Sequence, residues 1–170
     1  MLKGSMKAGP VMLASGKVSD FYIDARRVTL LPEGAYLCAK IILEMLKNER
    51  VDAIGGPTLG ADPLLGAIGV LSHQAQKPVN TFIIRKAPKP YGKQQQIEGP
   101  LLEAKFNVVL IDDVATTGKS IVQSIEVLKQ IQIPVRRAVC LVDRGEGAQD
   151  ALRPFGCELI SLFTLKDFPL

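Results

Sequence analysis

Hydrophobic residues along this chain form short runs that alternate with segments of helical periodicity. The mostly apolar runs predict strands over residues 21–25, 51–55, 79–85, 108–111, 135–142 and 158–163. Apolar positions at helical spacing predict helices over residues 33–47, 61–72, 120–130 and 147–152. Apolar strands separated by helices are typical of a mostly parallel sheet with helices on both faces. The pattern therefore predicts an α/β fold, whose ligand site lies beyond the carboxyl ends of the strands.

Length and composition narrow this picture to one globular unit. The 170 residues suit a single domain, 1–170, and no apolar run approaches the ~18 residues of a membrane span. No secretory leader is evident at the N-terminus. The three cysteines, Cys38, Cys140 and Cys157, stand among apolar residues without metal-ligand spacing, which predicts buried thiols in a reducing compartment. We therefore expect a cytoplasmic protein without a membrane partner.

Charge favours a small anionic ligand. The net charge is +4, and aromatic residues make up 5% of the chain with no Trp. Because base stacking needs aromatic side chains and no nucleic-acid-binding motif is present, we do not expect a nucleic-acid partner.

The segment from Val108 to Ser120, VVLIDDVATTGKS, carries the strongest chemical signal. A buried strand is followed by two acids, then by small and hydroxylated residues where a helix begins. Free N–H groups at a helix start bind anions, and Thr and Ser hydroxyls add donors, so this loop suits a phosphate. The paired acids, Asp112 and Asp113, suit the vicinal hydroxyls of a ribose or a magnesium ion. Together these features predict a site for a 5-phosphoribosyl group.

Two other interpretations explain this loop less well. Gly118-Lys119-Ser120 matches the end of a Walker A motif, but that motif needs glycine at position 113, which is Asp. An ordinary strand-to-helix turn would explain the hydroxyls through capping, yet it leaves the paired acids without a reason.

A cationic segment follows the strand at 79–85. Four cations fall within residues 85–93, and the polar stretch continues to Pro100. A connection of this length is typical of a lid or a disordered loop. A cationic lid beside a phosphoribosyl site would bind pyrophosphate as a leaving group and exclude water, and a merely solvated loop is the alternative.

The motif IDDVATTGKS resembles the phosphoribosyl-pyrophosphate (PRPP) motif of type I phosphoribosyltransferases. The cationic segment is similar to the mobile loop of one branch, the orotate phosphoribosyltransferases, with Tyr91 where many members carry His. The upstream segment LASGKVSDFYIDAR resembles the same branch's N-terminal signature. GGPTLGADP, residues 55–63, resembles its pyrophosphate loop, with Leu59 where some members carry Lys. These matches cover residues 14–165 in order.

The resemblance implies a type I phosphoribosyltransferase fold with a small N-terminal hood, about 10–30, and a mobile loop, about 86–100. It implies transfer of phosphoribose from PRPP to orotate, giving orotidine 5′-monophosphate and pyrophosphate in pyrimidine biosynthesis. Mg²⁺ would enter mainly with PRPP, with no direct protein ligand unless Asp112 or Asp113 serves as one. A homodimer with shared sites is implied, in which Lys89 reaches the partner's site.

Site residues follow from the same resemblance. The expected catalytic residues are Lys89, Asp112 and Asp113. The residues expected to bind PRPP are Arg85, Lys86, Lys89, Tyr91, Asp112, Asp113, Val114, Ala115, Thr116, Thr117, Gly118, Lys119 and Ser120. The residues expected to bind orotate are Thr116, Arg144, Phe21 and Tyr22.

Two alternatives stay open at this point. One is a phosphoribosyltransferase for another base, and the other is a regulator that senses PRPP without catalysis. A regulator would be expected to lose the cationic lid or to gain a nucleic-acid-binding appendage, whereas this chain carries the lid.

Overall fold

The computed structural model describes residues 6–12, 18–88 and 96–168. The elements in order are β1 (Met6–Met12), β2 (Val18–Ile23), α1 (Arg26–Thr29), α2 (Pro32–Met45), β3 (Ala53–Pro57), α3 (Asp62–Gln74), β4 (Asn80–Ile84), β5 (Ile97–Glu98), β6 (Val108–Ala115), α4 (Lys119–Gln130), β7 (Val135–Asp143), α5 (Ala148–Leu152) and β8 (Glu158–Thr164). Two short 3₁₀ turns, Arg153–Phe155 and Leu165–Asp167, flank β8.

The central sheet has the order β5-β4-β3-β6-β7-β8. All neighbouring strands are parallel except β4 and β5, which pair in antiparallel fashion. The prediction of a mostly parallel α/β sheet is confirmed. A separate antiparallel pair, β1 and β2, lies in the N-terminal region where a hood is predicted, and its role as a cover of the site stays a prediction.

Helices cover both faces of the sheet because successive strand residues point to opposite sides. In β6, Val109 and Ile111 pack with α2 and α3, whereas Val108 and Leu110 pack with α4 and α5. These side chains are almost completely buried, and each stabilises the fold by roughly 1.5–3 kcal/mol relative to an exposed position. The three cysteines are free and buried, as predicted.

The structure differs from the sequence-based elements in several places. The strands predicted at 21–25 and 51–55 are observed at 18–23 and 53–57, and the one-turn helix α1 was not predicted. The strand predicted at 108–111 continues to Ala115, because β7 pairs with it as far as Ala115 opposite Asp143. Asp112 and Asp113 therefore lie within the last part of the strand and not after it. β1 and the two-residue β5 were not predicted, since neither has an apolar pattern of its own.

Candidate active site

The candidate site lies where the strand order reverses. From β3 the chain passes through α3 to β4 on one side, while from β6 it passes through α4 to β7 on the other. Because these connections leave in opposite directions, a crevice opens between the carboxyl ends of β3 and β6. Residues 58–60 and 116–118, the loops that follow these strands, flank the crevice.

The loop after β6 has the geometry of an anion-binding turn. Gly118 has a φ of +75° and immediately precedes α4, so the first N–H groups of α4 face the loop. Thr117 and Lys119 are exposed and Thr116 is half-buried. Within the described residues, the hydroxyls of Thr116 and Thr117 take part in no hydrogen bond, so both can donate to a ligand.

The two acids are held by short local hydrogen bonds. Asp112 is only 5% exposed. Its Oδ1 accepts the Asp113 N–H at 2.9 Å and its Oδ2 accepts the Ser120 hydroxyl at 2.6 Å. Asp113 Oδ1 accepts the Val114 N–H at 2.8 Å. Ser120, expected to bind phosphate, thus donates its hydroxyl to Asp112, and its contact with phosphate stays a prediction.

Burial governs the ionisation of this pair. Burial and the neighbouring charge of Asp113 raise the pKa of Asp112 to about 7, against the lowering effect of the Ser120 hydrogen bond. Burial also raises the pKa of Asp113. Two carboxylates in so small a volume favour positive charge or hydroxyl donors nearby. A sugar diol would supply hydroxyl donors to the two carboxylates, and a divalent cation would supply positive charge.

The loop after β3 lies directly over the acids. A Cβ atom on Gly60 would stand 2.4 Å from Asp113 Oδ1 and 2.8 Å from Asp112 Oδ1. Only glycine therefore allows this approach. The peptide bond between Thr58 and Leu59 is cis. The structure thus brings the segment at 55–63 against the acids.

Arg144 joins the site from the loop after β7. Its backbone N–H donates to the carbonyl of Ala115 at 2.9 Å, which places it beside Thr116. The side chain is buried, and Nε donates to Glu146 Oε1 at 2.8 Å. The two residues expected to orient the base, Thr116 and Arg144, are therefore on adjoining loops.

The structure describes the side chains of only some of the other predicted site residues. Tyr22 lies half-buried on β2. Phe21 belongs to the same strand, but its side chain is outside the described part, as are Lys89 and Tyr91. Arg85 forms an ion pair with Glu98 of β5 at 3.5 Å, and Lys86 is exposed.

The predicted site residues did not include Asp24, which is part of the N-terminal signature, or Arg26, the first residue of α1. Arg26 Nε donates to Asp24 Oδ1 at 2.9 Å. This contact, followed by the charges of Tyr22 and Asp113, raises the pKa of Arg26. The negative charge of Asp113 is thus the smallest of the contributions that raise the pKa of Arg26. The spacing Asp-x-Arg in IDAR was the available signal.

A cavity of about 410 Å³ lies at the opposite edge of the sheet, near the amino ends of β6 and β7. Its charged lining residues are Glu49, Lys105, Arg136 and Arg137, and Glu49 pairs with Arg137. Because the acids and the phosphate loop lie at the other edge, this cavity is separate from the candidate site.

Among residues 6–12, 18–88 and 96–168, no group of three or more His, Cys, Asp or Glu side chains could enclose a metal ion. Asp112 and Asp113 could contribute at most part of a coordination shell, and a ligand would have to complete it. In the same ranges, no helix combines the length and apolarity needed to cross a bilayer.

Comparison with known proteins identifies close relatives. The chain is 39% identical over 155 residues to orotate phosphoribosyltransferase of Aquifex aeolicus, an alignment covering 91% of this chain and 84% of that protein. Orotate phosphoribosyltransferase of Mycobacterium tuberculosis in complex with Fe(III) dicitrate superposes with a TM-score of 0.83 at 32% identity, covering 98% of this chain and 93% of the other.

The M. tuberculosis enzyme is also known in complex with PRPP. That structure superposes with a TM-score of 0.79 at 28% identity, covering 98% of this chain and 93% of the other. No family model matches the chain.

Proposed function

The chain belongs to the orotate phosphoribosyltransferase family, and from that premise we propose which residues hold each part of its substrates. The reaction transfers the 5-phosphoribosyl group of PRPP to orotate. It yields orotidine 5′-monophosphate and pyrophosphate in pyrimidine biosynthesis. One observation supports placing this reaction at the crevice between β3 and β6. A pair of acids, Asp112 almost fully buried and Asp113 half-buried, lies there beside the loop that opens α4, whose N–H groups and hydroxyls can bind a phosphate.

Asp112 and Asp113 hold the ribose of PRPP by accepting hydrogen bonds from its 2′ and 3′ hydroxyls. Each carboxylate oxygen has lone pairs beyond those used by the local hydrogen bonds. The 5′-phosphate binds to the N–H groups and hydroxyls of the loop that opens α4. The residues of this subsite are Val114, Ala115, Thr116, Thr117, Gly118, Lys119 and Ser120.

Orotate binds between the hood and the loop after β7. The Thr116 hydroxyl and the Arg144 guanidinium orient it, since a guanidinium can pair with its carboxylate through two parallel hydrogen bonds. Phe21 and Tyr22 flank the flat ring. Ring nitrogen N1 then forms a bond to the anomeric carbon while the bond from that carbon to pyrophosphate breaks. The electron pair of the broken bond leaves on the pyrophosphate oxygen, and the proton that N1 gives up passes to the pyrophosphate or to solvent.

Cations stabilise the charge that develops on pyrophosphate. The mobile segment supplies them through Arg85, Lys86 and Lys89, and Tyr91 adds a phenol donor. In the described part of this segment, Arg85 already pairs with Glu98, and Lys86 is exposed. Closure of the segment over the site would also exclude water from the reactive ribosyl carbon.

Mg²⁺ fits the donor set at this site. Asp112 and Asp113 are oxygen donors whose mutual repulsion a cation would relieve, and the described residues enclose no complete metal site. We therefore assign most of the coordination to PRPP, with Asp112 or Asp113 as the protein's contribution. When bound, the ion would neutralise part of the pyrophosphate charge.

The direct test is an assay of the protein with Mg²⁺, PRPP and orotate that follows orotate consumption. We expect turnover of orotate. Turnover of another base in its place would refute the substrate assignment. PRPP binding without turnover of any base would favour a regulator.

We further propose a homodimer in which the mobile segment of one subunit completes the site of the other. The test mixes a Lys89→Ala chain with an Arg144→Ala chain, each inactive alone. If sites are shared, mixed dimers should contain one intact site and regain activity. No recovery on mixing would count against shared sites. The free buried cysteines also fit a reducing compartment, and we propose the cytoplasm as the location.

A further inference from the structure

The cavity at the amino ends of β6 and β7 has the size of a small-molecule site, and the proposed reaction does not use it. Its volume is about 410 Å³, and ligand pockets typically measure about 300–1,000 Å³. Apolar surface comes from Ala104, Phe106, Val109 and Pro134, alongside the four charged side chains described above. A ligand that matches this lining would combine an apolar body with a charged group.

A β-bulge brings two consecutive arginines to this cavity. Val108 of β6 pairs with Val135 of β7. The next residue of β6, Val109, pairs with Arg137, which leaves Arg136 as an extra residue in β7. Consecutive side chains of a regular strand point to opposite faces, whereas a bulge redirects the strand locally. Because both arginines line the cavity, the backbone concentrates positive charge at this point.

The two arginines differ in the partners that they already have. Arg137 Nη2 donates to Glu158 Oε2 at 3.1 Å, and Nη1 donates to Glu49. Its Nε is buried and has no hydrogen-bond partner among the described residues, so Arg137 contributes mainly charge to the cavity wall. Arg136 is exposed, and its guanidinium forms no ion pair within residues 6–12, 18–88 and 96–168. Its five N–H donors are therefore available to a ligand.

The charge of the lining matches a phosphate group. Three lining cations stand against one lining carboxylate, which is an excess of two positive charges. Lys105 also pairs with Glu103 at 2.9 Å, but both side chains are at least half exposed, so this ion pair is weak and a ligand can replace it. A phosphate monoester carries a charge of about −1.5 to −2 near pH 7 and has three terminal acceptor oxygens. A carboxylate offers a single charge and two oxygens.

We propose that this cavity is a second binding site of the protein, for a phosphate monoester that carries a small flat apolar body. Arg136 and Lys105 bind the phosphate, and the apolar body packs against Phe106 and Pro134. The buried acids and the loop that opens α4 lie at the other edge of the sheet. The cavity can therefore be filled while the candidate active site is occupied.

The test titrates the isotope-labelled full chain with phenyl phosphate and, separately, with inorganic phosphate, while NMR follows the backbone amide signals. Binding at the cavity is detected at Asn107 and Arg137, and binding at the candidate active site is detected at Gly118. We expect phenyl phosphate to shift the cavity signals and to bind there about tenfold more tightly than inorganic phosphate, because part of its ring is buried.

A substitution at Arg136 then identifies the cation that binds the probe. Arg136→Gln should weaken phenyl phosphate binding at the cavity by about tenfold or more, as for loss of a hydrogen bond to a charged group. The response at Gly118 should not change, and Arg136→Lys should restore part of the affinity. The control is Arg153→Gln, which removes the same charge from an exposed arginine beside α5 and should bind as the wild type does.

Three results would overturn the proposal. The first is an absence of shifts at Asn107 and Arg137 while Gly118 responds to the probe. The second is equal affinity of the wild type and Arg136→Gln at the cavity. The third is binding of inorganic phosphate as tight as that of phenyl phosphate, which would refute the apolar part of the site. None of these measurements needs turnover of orotate, so failure of this proposal is distinguishable from failure of the proposed function.

Discussion

Asp112 is a carboxylate that the fold buries beside a second carboxylate, and its ionisation therefore depends on folding. Its pKa rises from the ordinary value of 3.8 to about 7, chiefly through burial. The Ser120 hydroxyl, 2.6 Å away, partly offsets this rise. Positive charge or hydroxyl donors from a ligand would favour the ionised form of Asp112.

This shift predicts how stability changes with pH. Between pH 4 and about 7 the folded chain retains a proton on Asp112 that the unfolded chain has lost, so the free energy of unfolding should fall as pH rises through this window. Asp112→Asn should reduce that slope, as measured by urea denaturation between pH 5 and pH 7. The exposed α5 variant Asp150→Asn is the control. Equal slopes for wild type and Asp112→Asn would contradict the assignment.

Candidate site residues can be proposed from the sequence where a motif indicates its chemistry. The acids and hydroxyls at the end of β6 and in the loop after it predict a ribose-phosphate site, and the structure places them together at the carboxyl end of β6. Their contacts with substrate stay predictions. Arg26 was not predictable from its type, because an arginine after a strand is usually a solvated residue. Its ion pair with Asp24 depends on how the chain turns between β2 and α1.

At the scale of elements, the turn into α4 links the phosphate loop to α5. Gly118 adopts a left-handed conformation with a φ of +75°. A Cβ atom at this position would stand 3.0 Å from the carbonyl oxygen of Ala148. The left-handed backbone and the close approach of α5 therefore both favour a residue without a side chain at position 118.

Gly118→Ala should weaken both the fold and PRPP binding. The left-handed backbone costs an alanine about 1–2 kcal/mol, which is roughly 2–8 °C in Tm for a chain of this size. The control is Gly66→Ala, at an exposed position of α3 where an added Cβ would meet no atom within 4 Å. This variant should raise Tm slightly. Thermal unfolding and calorimetric PRPP titration measure the two effects. Equal Tm shifts for both variants would argue against the conformational explanation.

Elements with a long periodic pattern were predicted within a few residues, such as α4 and β7. The end of β6 was not, because Asp112 and Asp113 interrupt its apolar run while pairing with β7 continues past them. β5 was missed for a related reason. Two residues carry no periodicity, and β5 exists only because β4 offers an edge. Long-range pairing decides both cases.

At the scale of the whole molecule, apolar side chains remain exposed where the hood unit joins α2. Leu30 is 70% exposed and Leu31 is 54% exposed, and Tyr36 is exposed on the first turns of α2. Neighbouring exposed apolar residues of this size mark contact surfaces more often than chance positions do. This surface is our candidate for the contact between the two subunits of the proposed homodimer.

Leu31→Glu should therefore shift the protein from dimer to monomer, because a buried carboxylate would lack a partner at the interface. Light scattering on a size-exclusion column measures the mass. The control is Ile131→Glu, which adds the same charge to an exposed position at the end of α4, on the other face of the sheet. If Leu31→Glu still had the mass of a dimer, the interface would have to lie elsewhere on the surface.

The paired hydrogen bonds between Arg85 and Gln96 have a consequence for engineering. The Arg85 N–H donates to the Gln96 carbonyl at 2.8 Å, and the Gln96 side-chain amide donates to the Arg85 carbonyl at 2.9 Å. These two bonds hold the ends of the connection between β4 and β5 together, at Arg85 and Gln96. Closing a loop of twice the length costs only about 0.6 kcal/mol. Segments of other lengths and charges could therefore be inserted between these two residues, and the proposed function predicts that their charge would change the affinity for pyrophosphate.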